Sequence, residues 1–267
     1  MLRDLQTLMR GLGQRLLPAP PDAVALSDAE WEALRRHAAF VDLLPAQEAR
    51  SLRGRIGEFL ARKEFKGVRM HVEPWQRQLI AAYACLPILH LGIDAYREWR
   101  TVIVYPDTFA PEHEWVDEAG VHHRAVVAQA GEAWERGPVV LSWSDVAADG
   151  AVIVHEMVHT LDAANGDVNG FPPLPGSMSP AAWTEGFSEA YEQLQRELDS
   201  GGEPVIDPYA ASDPAEFLAV TAEYFFFSPA YLSAELPAIY ALLAEYFRLE
   251  PHAWADEIPT QIPWTED

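Results

Sequence analysis

The sequence predicts an α+β fold with a helical N-terminal part, a small mixed sheet and a largely helical remainder. Three observations carry that expectation. Apolar residues recur at helical spacing to about residue 91, strand-like runs replace them between 101 and 143, and helical spacing returns from about 149 to 248. At 267 residues the chain can form one large or two modest domains, and 49% hydrophobic residues is ordinary for a folded globular protein. Neither repeats nor low-complexity tracts break the pattern.

Residues 2–16 place Leu2, Leu5, Leu8, Met9, Leu12 and Leu16 at helical spacing with Arg3, Arg10 and Arg15 between, a face expected to pack on the protein's own core. Pro18-Ala19-Pro20-Pro21 is a linker. Ser27-Asp28-Ala29-Glu30 is a capping box that opens a helix through about Phe40. Residues 45–64 and 74–91 are further helices. Thr101–Tyr105, Val121–Gln129 and Pro138–Trp143 are strands. His122 and His123 on the second face opposite sides, so both are taken as structural. Helices follow at about 149–164, 180–199, 214–227 and 235–248, with Asp213 and Pro214 marking the start of the third. A Pro-rich tail from Pro259 is expected to be loose.

Residues 155–159 read His-Glu-Met-Val-His. Helical positions four apart share a face with Cβ atoms about 5–6 Å apart, so His155 and His159 can place two imidazole nitrogens on one Zn2+. Glu156 then lies beside the metal's open position, where a carboxylate can act as general base toward water that the metal acidifies. The run Ala151-Val152-Ile153-Val154, with Met157, Val158 and Leu161 beyond it, predicts that this helix is buried. Polar groups buried there without partners would cost about 1–3 kcal/mol each, and a metal supplies the partner.

Two histidines leave a tetrahedral zinc site one protein ligand short. The metzincin pattern asks for a glycine at 162 and a histidine at 165; the chain has Asp162 and Asn165, which excludes that class. Asp162 can accept the second N–H of His159 or be an ordinary polar residue before Asn165-Gly166. Two glutamates compete for the third position. Glu185, in Thr184-Glu185-Gly186-Phe187-Ser188-Glu189, resembles the glutamate helix of thermolysin-like enzymes. Glu216 sits in the first turn after Asp213, where a capping box would equally account for it. Local chemistry leaves the two level. Glu223, seven residues after Glu216, is a fallback ligand or an acceptor outside the ligand set.

Gly131-Glu132-Ala133-Trp134-Glu135-Arg136-Gly137-Pro138-Val139-Val140-Leu141-Ser142-Trp143, His155–Asp162, Pro208-Tyr209-Ala210, Asp213–Phe217 and Glu223-Tyr224-Phe225-Phe226 together resemble the Mlc titration factor A family of zinc peptidases. The resemblance runs from about Leu52 to Pro251. It implies that Glu216 is the third zinc ligand. The family's core is similar to that of anthrax lethal factor, in which a tyrosine stands seven residues before the ligand glutamate; here that is Tyr209, whose phenol would donate to a developing oxyanion. It also implies a zincin-type core and aminopeptidase-like hydrolysis of a peptide or protein substrate. In such a core an edge strand pairs with extended substrate, and Pro138–Trp143 is the expected strand. The parts expected are a helical 1–95, a catalytic 96–258 and a loose 259–267. The family's namesake sequesters the Mlc transcriptional repressor, so repressor binding with little or no peptidase activity is the alternative function.

Charge is unevenly spread. Residues 1–80 carry 13 Lys and Arg against 10 Asp and Glu, which leaves 6 against 31 for residues 81–267. So acidic a surface disfavours nucleic acid and anionic membranes and attracts cationic peptides. Cys85, the one cysteine, allows no internal disulfide and sits in an apolar run, so it is expected in the core. No signal peptide or span of transmembrane length is evident, making the cytoplasm the expected compartment.

Overall fold

The computed structural model describes residues 25–107, 137–260 and 262, and the backbone of 112–116 and 122–126. The expected helix at 2–16 and the linker at Pro18–Pro21 lie outside them. Helix α1 (Asp28–Arg35) opens on the expected capping box: Glu30 N–H donates to Ser27 Oγ at 3.3 Å, and Ser27 N–H donates to Glu30 Oε2 at 2.8 Å. It stops before Phe40, where a 3-10 turn, Ala39–Asp42, delivers Phe40 and Val41 to the core. Helix α2 spans Ala46–Arg62. After strand β1 (Glu64–Gly67), helix α3 (Pro74–Cys85) ends short of residue 91. Pro87 brings no N–H to the ladder and its ring crowds the carbonyl of Tyr83; Leu86 N–H takes that carbonyl instead, at 3.2 Å.

The remaining strands are β2 (Thr101–Tyr105), β3 (Glu112–Val116), β4 (His122–Val126) and β5 (Val139–Ser142). Strands β1, β2 and β5 form a parallel sheet in the order β1-β2-β5, with Glu64 opposite Thr101 and Val102 opposite Val139. All five residues of β2 are buried, as a central parallel strand covered on both faces requires. β1 was not expected, because Glu64, Lys66 and Gly67 favour strands poorly; pairing with β2 overrides that preference. β3 and β4 pair antiparallel and separately, so the expected mixed sheet is resolved into two. The side chains of His122 and His123 lie outside the described residues. Trp143 begins helix α4 (Trp143–Ala148) instead of closing the strand, because Ser142 Oγ accepts Asp145 N–H and caps it.

Helices α5 (Ala151–Asp162), α6 (Pro180–Asp199), α7 (Pro214–Phe227), α8 (Pro229–Glu235) and α9 (Pro237–Phe247) complete the fold. α9 is the helix expected at 235–248, whereas α8 was not expected; each has a proline at its first turn. α7 is apolar on nearly every face and packs against α5, α6, α8 and α9. Burying a phenylalanine such as Phe225, fully enclosed, contributes about 1.5–3 kcal/mol, and Phe225→Ala would cost about 3–5 kcal/mol with the cavity included. Buried residues from Leu26 to Ile262 form one cluster, and the parallel sheet draws strands from both sides of residue 95. The tail is held at two points: Thr260 accepts a bond from Gly150 N–H at 2.9 Å, and Ile262 is buried. Cys85 lies in the core, where burial pushes its thiol pKa up. Among the described residues no helix is long and apolar enough to cross a membrane.

Candidate metal centre

Helix α5 carries a β-branched run that alone would suit a strand. It is helical because its surroundings are apolar on most sides and because Asp149 Oδ1 takes the unpaired N–H of Ala151 at 2.8 Å. His155 and His159 point from one face of α5 toward α7. Asp213 caps α7, accepting N–H bonds from Ala215 at 2.8 Å and Glu216 at 3.0 Å. Glu216 makes no reciprocal bond to the cap; its side chain turns to the histidines.

Three atoms converge. His155 Nε2 and His159 Nε2 are 3.1 Å apart, and Glu216 Oε2 lies 3.0 Å from the first and 3.4 Å from the second. A tetrahedral ion with bonds of about 2.0–2.1 Å has ligand–ligand edges of about 3.3–3.4 Å, so one ion can reach all three. Glu216 Oε2 is buried and receives no aligned hydrogen bond despite these neighbours. Two imidazole nitrogens and a carboxylate oxygen this close at a buried point are ligand types that suit one divalent ion, so the donor set fits a metal.

The surrounding groups favour positive charge here. His155 Nδ1 donates to Glu223 Oε1 at 2.6 Å, which leaves Nε2 as a lone pair for a metal. Burial opposes a charge on His155, but its contacts with Glu216 and Glu223 outweigh burial and push its pKa up to about 10. Burial would likewise raise Glu216, yet the two histidines hold it well below the usual carboxylate range. Glu156 faces the same cluster; burial pushes its carboxyl up to about 7, against the opposing histidines. Tyr209 stands on a 3-10 turn, Pro208–Ala211, packed against α7. Its ring centre is 6.3 Å from that of His155; partial burial and the Glu216 carboxylate beside it push the phenol pKa up.

The structure therefore brings His155, Glu156, His159, Tyr209, Glu216 and Glu223 together. Glu185 is elsewhere: it lines a surface groove between α6 and α9 with Ala238, Leu242 and Glu245. Asp162 is fully buried and does not take the second N–H of His159. Its Oδ2 accepts the N–H of Gly170 at 2.7 Å. Asn169-Gly170 is a turn signal that sequence reading passed over.

The comparisons with known proteins agree with this geometry. The family model for the glucose-regulated metallo-peptidase M90 matches residues 20–248. The chain is 34% identical over 233 residues to Mlc titration factor A of Klebsiella pneumoniae strain 342, covering 84% of this chain and 88% of that protein. It is 36% identical over 217 residues to Mlc titration factor A of Salmonella gallinarum, covering 78% and 82%. The chain belongs to the glucose-regulated metallo-peptidase M90 family.

Proposed function

We propose that this chain is a zinc-dependent, aminopeptidase-like peptidase with a zincin-type core, in which residues 96–258 carry the chemistry and His155, His159 and Glu216 hold the ion. The observation that carries this reading is the convergence of His155 Nε2, His159 Nε2 and Glu216 Oε2 to within 3.0–3.4 Å of one another. Zinc bound at those atoms supplies Lewis acidity, which polarises a carbonyl and acidifies water toward neutral pH.

Glu156 takes a proton from the attacking water and delivers it to the leaving amine. Tyr209 directs its phenol O–H at the carbonyl oxygen as negative charge gathers there. Glu223 fixes the tautomer and ring orientation of His155. The excess of carboxylates after residue 80 favours substrates with a free, cationic α-amino group and disfavours direct contact with nucleic acid. The cytoplasm is the compartment proposed.

The name of the relatives favours a second reading, in which the chain binds and sequesters a transcriptional repressor and any peptidase activity is secondary. Metal analysis with a panel of aminoacyl chromogenic substrates separates the two. Zinc at one per chain with turnover supports the peptidase. Zinc without turnover favours repressor binding, and absence of zinc from protein prepared without chelators defeats the enzyme reading.

A further inference from the structure

We infer that Gly170 is a positioning residue that sets the distance between the two halves of the metal centre. This inference rests on the metal reading above and extends it to residues that touch no ligand atom. The loop after α5 folds back so that the Gly170 N–H donates to Asp162 Oδ2 at 2.7 Å, three residues beyond His159. Its carbonyl accepts from Trp183 Nε1 of α6 at 3.0 Å, and both bonds are buried. Its Cα lies against Pro214, the first residue of α7 and two residues before Glu216. One glycine thus links the end of the histidine helix, the wall formed by α6 and the turn that presents the glutamate.

Only glycine satisfies this position. Its φ of +77° is a region that L side chains rarely adopt. A Cβ would stand 2.5 Å from Pro214 O, so α7 or the loop would have to yield by about 0.9 Å to reach the 3.4 Å of ordinary contact. Metal–ligand distances tolerate about 0.2 Å. If α7 yields, Glu216 leaves its place; if the loop alone yields, Asp162 loses the Gly170 N–H and the loss no longer depends on Glu216.

The test measures Zn2+ affinity by chelator competition for Gly170→Ala in two backgrounds, the natural chain and Glu216→Ala. The expected result is a roughly 10–100-fold loss in the natural background, the scale of outer-shell changes, and less than a twofold further loss once Glu216 is gone. Equal losses in both backgrounds would show general destabilisation and overturn the inference, as would no loss in the first. Trp183→Phe keeps one aromatic ring and loses the indole N–H with its five-membered ring; if Gly170→Ala does not fold, it carries the same comparison with the same criteria. Failure of the metal reading looks different. The natural chain would then bind no zinc, or Glu216→Ala would bind it as tightly as the natural chain.

Discussion

Replacing Glu216 by alanine should remove most of the metal's hold on the protein, whereas Glu185→Ala should leave it intact. Glu216 Oε2 is one of three converging donors, and its side chain does not close a capping box, so its loss falls on the metal site and not on the helix start. Outer-shell changes cost about 10–100-fold in affinity, and loss of a direct ligand should exceed the upper figure, about 2.7 kcal/mol. At fixed excess zinc that energy is subtracted from the stabilisation conferred by binding. With an unfolding entropy of about 2.1 cal/mol/K per residue, the 267-residue chain should lose about 5 °C of its zinc-induced rise in Tm. Thermal unfolding with and without zinc, with metal content after dialysis, measures both. If Glu185→Ala strips the zinc while Glu216→Ala retains it, the ligand assignment is refuted.

Glu156→Gln should lower turnover by about 10²–10⁴-fold at unchanged zinc content; retained activity would assign the proton transfer elsewhere. Tyr209→Phe should lower kcat by roughly 10²-fold with little change in KM, and an unaltered kcat would leave Tyr209 a packing residue. Glu223→Gln should weaken zinc binding about 10–100-fold, measured by competition, because His155 loses its anionic partner. Lys63 is buried, and desolvation pushes its ammonium down to about 7 from 10.5, although Tyr96 and Trp99 carbonyls each accept a bond from it at 2.5 Å. The unfolded chain therefore holds more protons between these values, so stability should rise with pH from about 7 to 10.5. Lys63→Met should flatten that rise in urea midpoints, and an unchanged slope would rule Lys63 out as its source.

That His155, Glu156 and His159 lie together on one buried helix was legible, because a five-residue spacing is local information and the apolar residues around them announced burial. Glu216 was not legible from chemistry alone. It lies 57 residues beyond His159 and is level with Glu185 in local terms, and the decision depends on which helix face docks on α5. The family resemblance supplied what the local pattern lacked. Glu223 was expected in either of two roles, and it contacts His155 Nδ1 at 2.6 Å, outside the point where the other three groups converge. Helix spacing left Asp162 open between a partner of His159 and an ordinary polar residue at the helix end; the returning loop gives it the Gly170 N–H, a non-local event. β1 was missed for a related reason: Glu-Phe-Lys-Gly has little strand character until β2 lies alongside it.

The groups around the centre differ in how firmly they are held. Among the described residues, Glu216 belongs to the most enclosed helix, while Tyr209 stands on a short surface turn with 46% of its area exposed. Amide exchange in α7 should therefore require opening of the whole core, whereas the Tyr209 turn can respond within the native state. An incoming peptide would meet a fixed ligand set and an adjustable phenol, so substrate selection by fit would fall on the tyrosine turn.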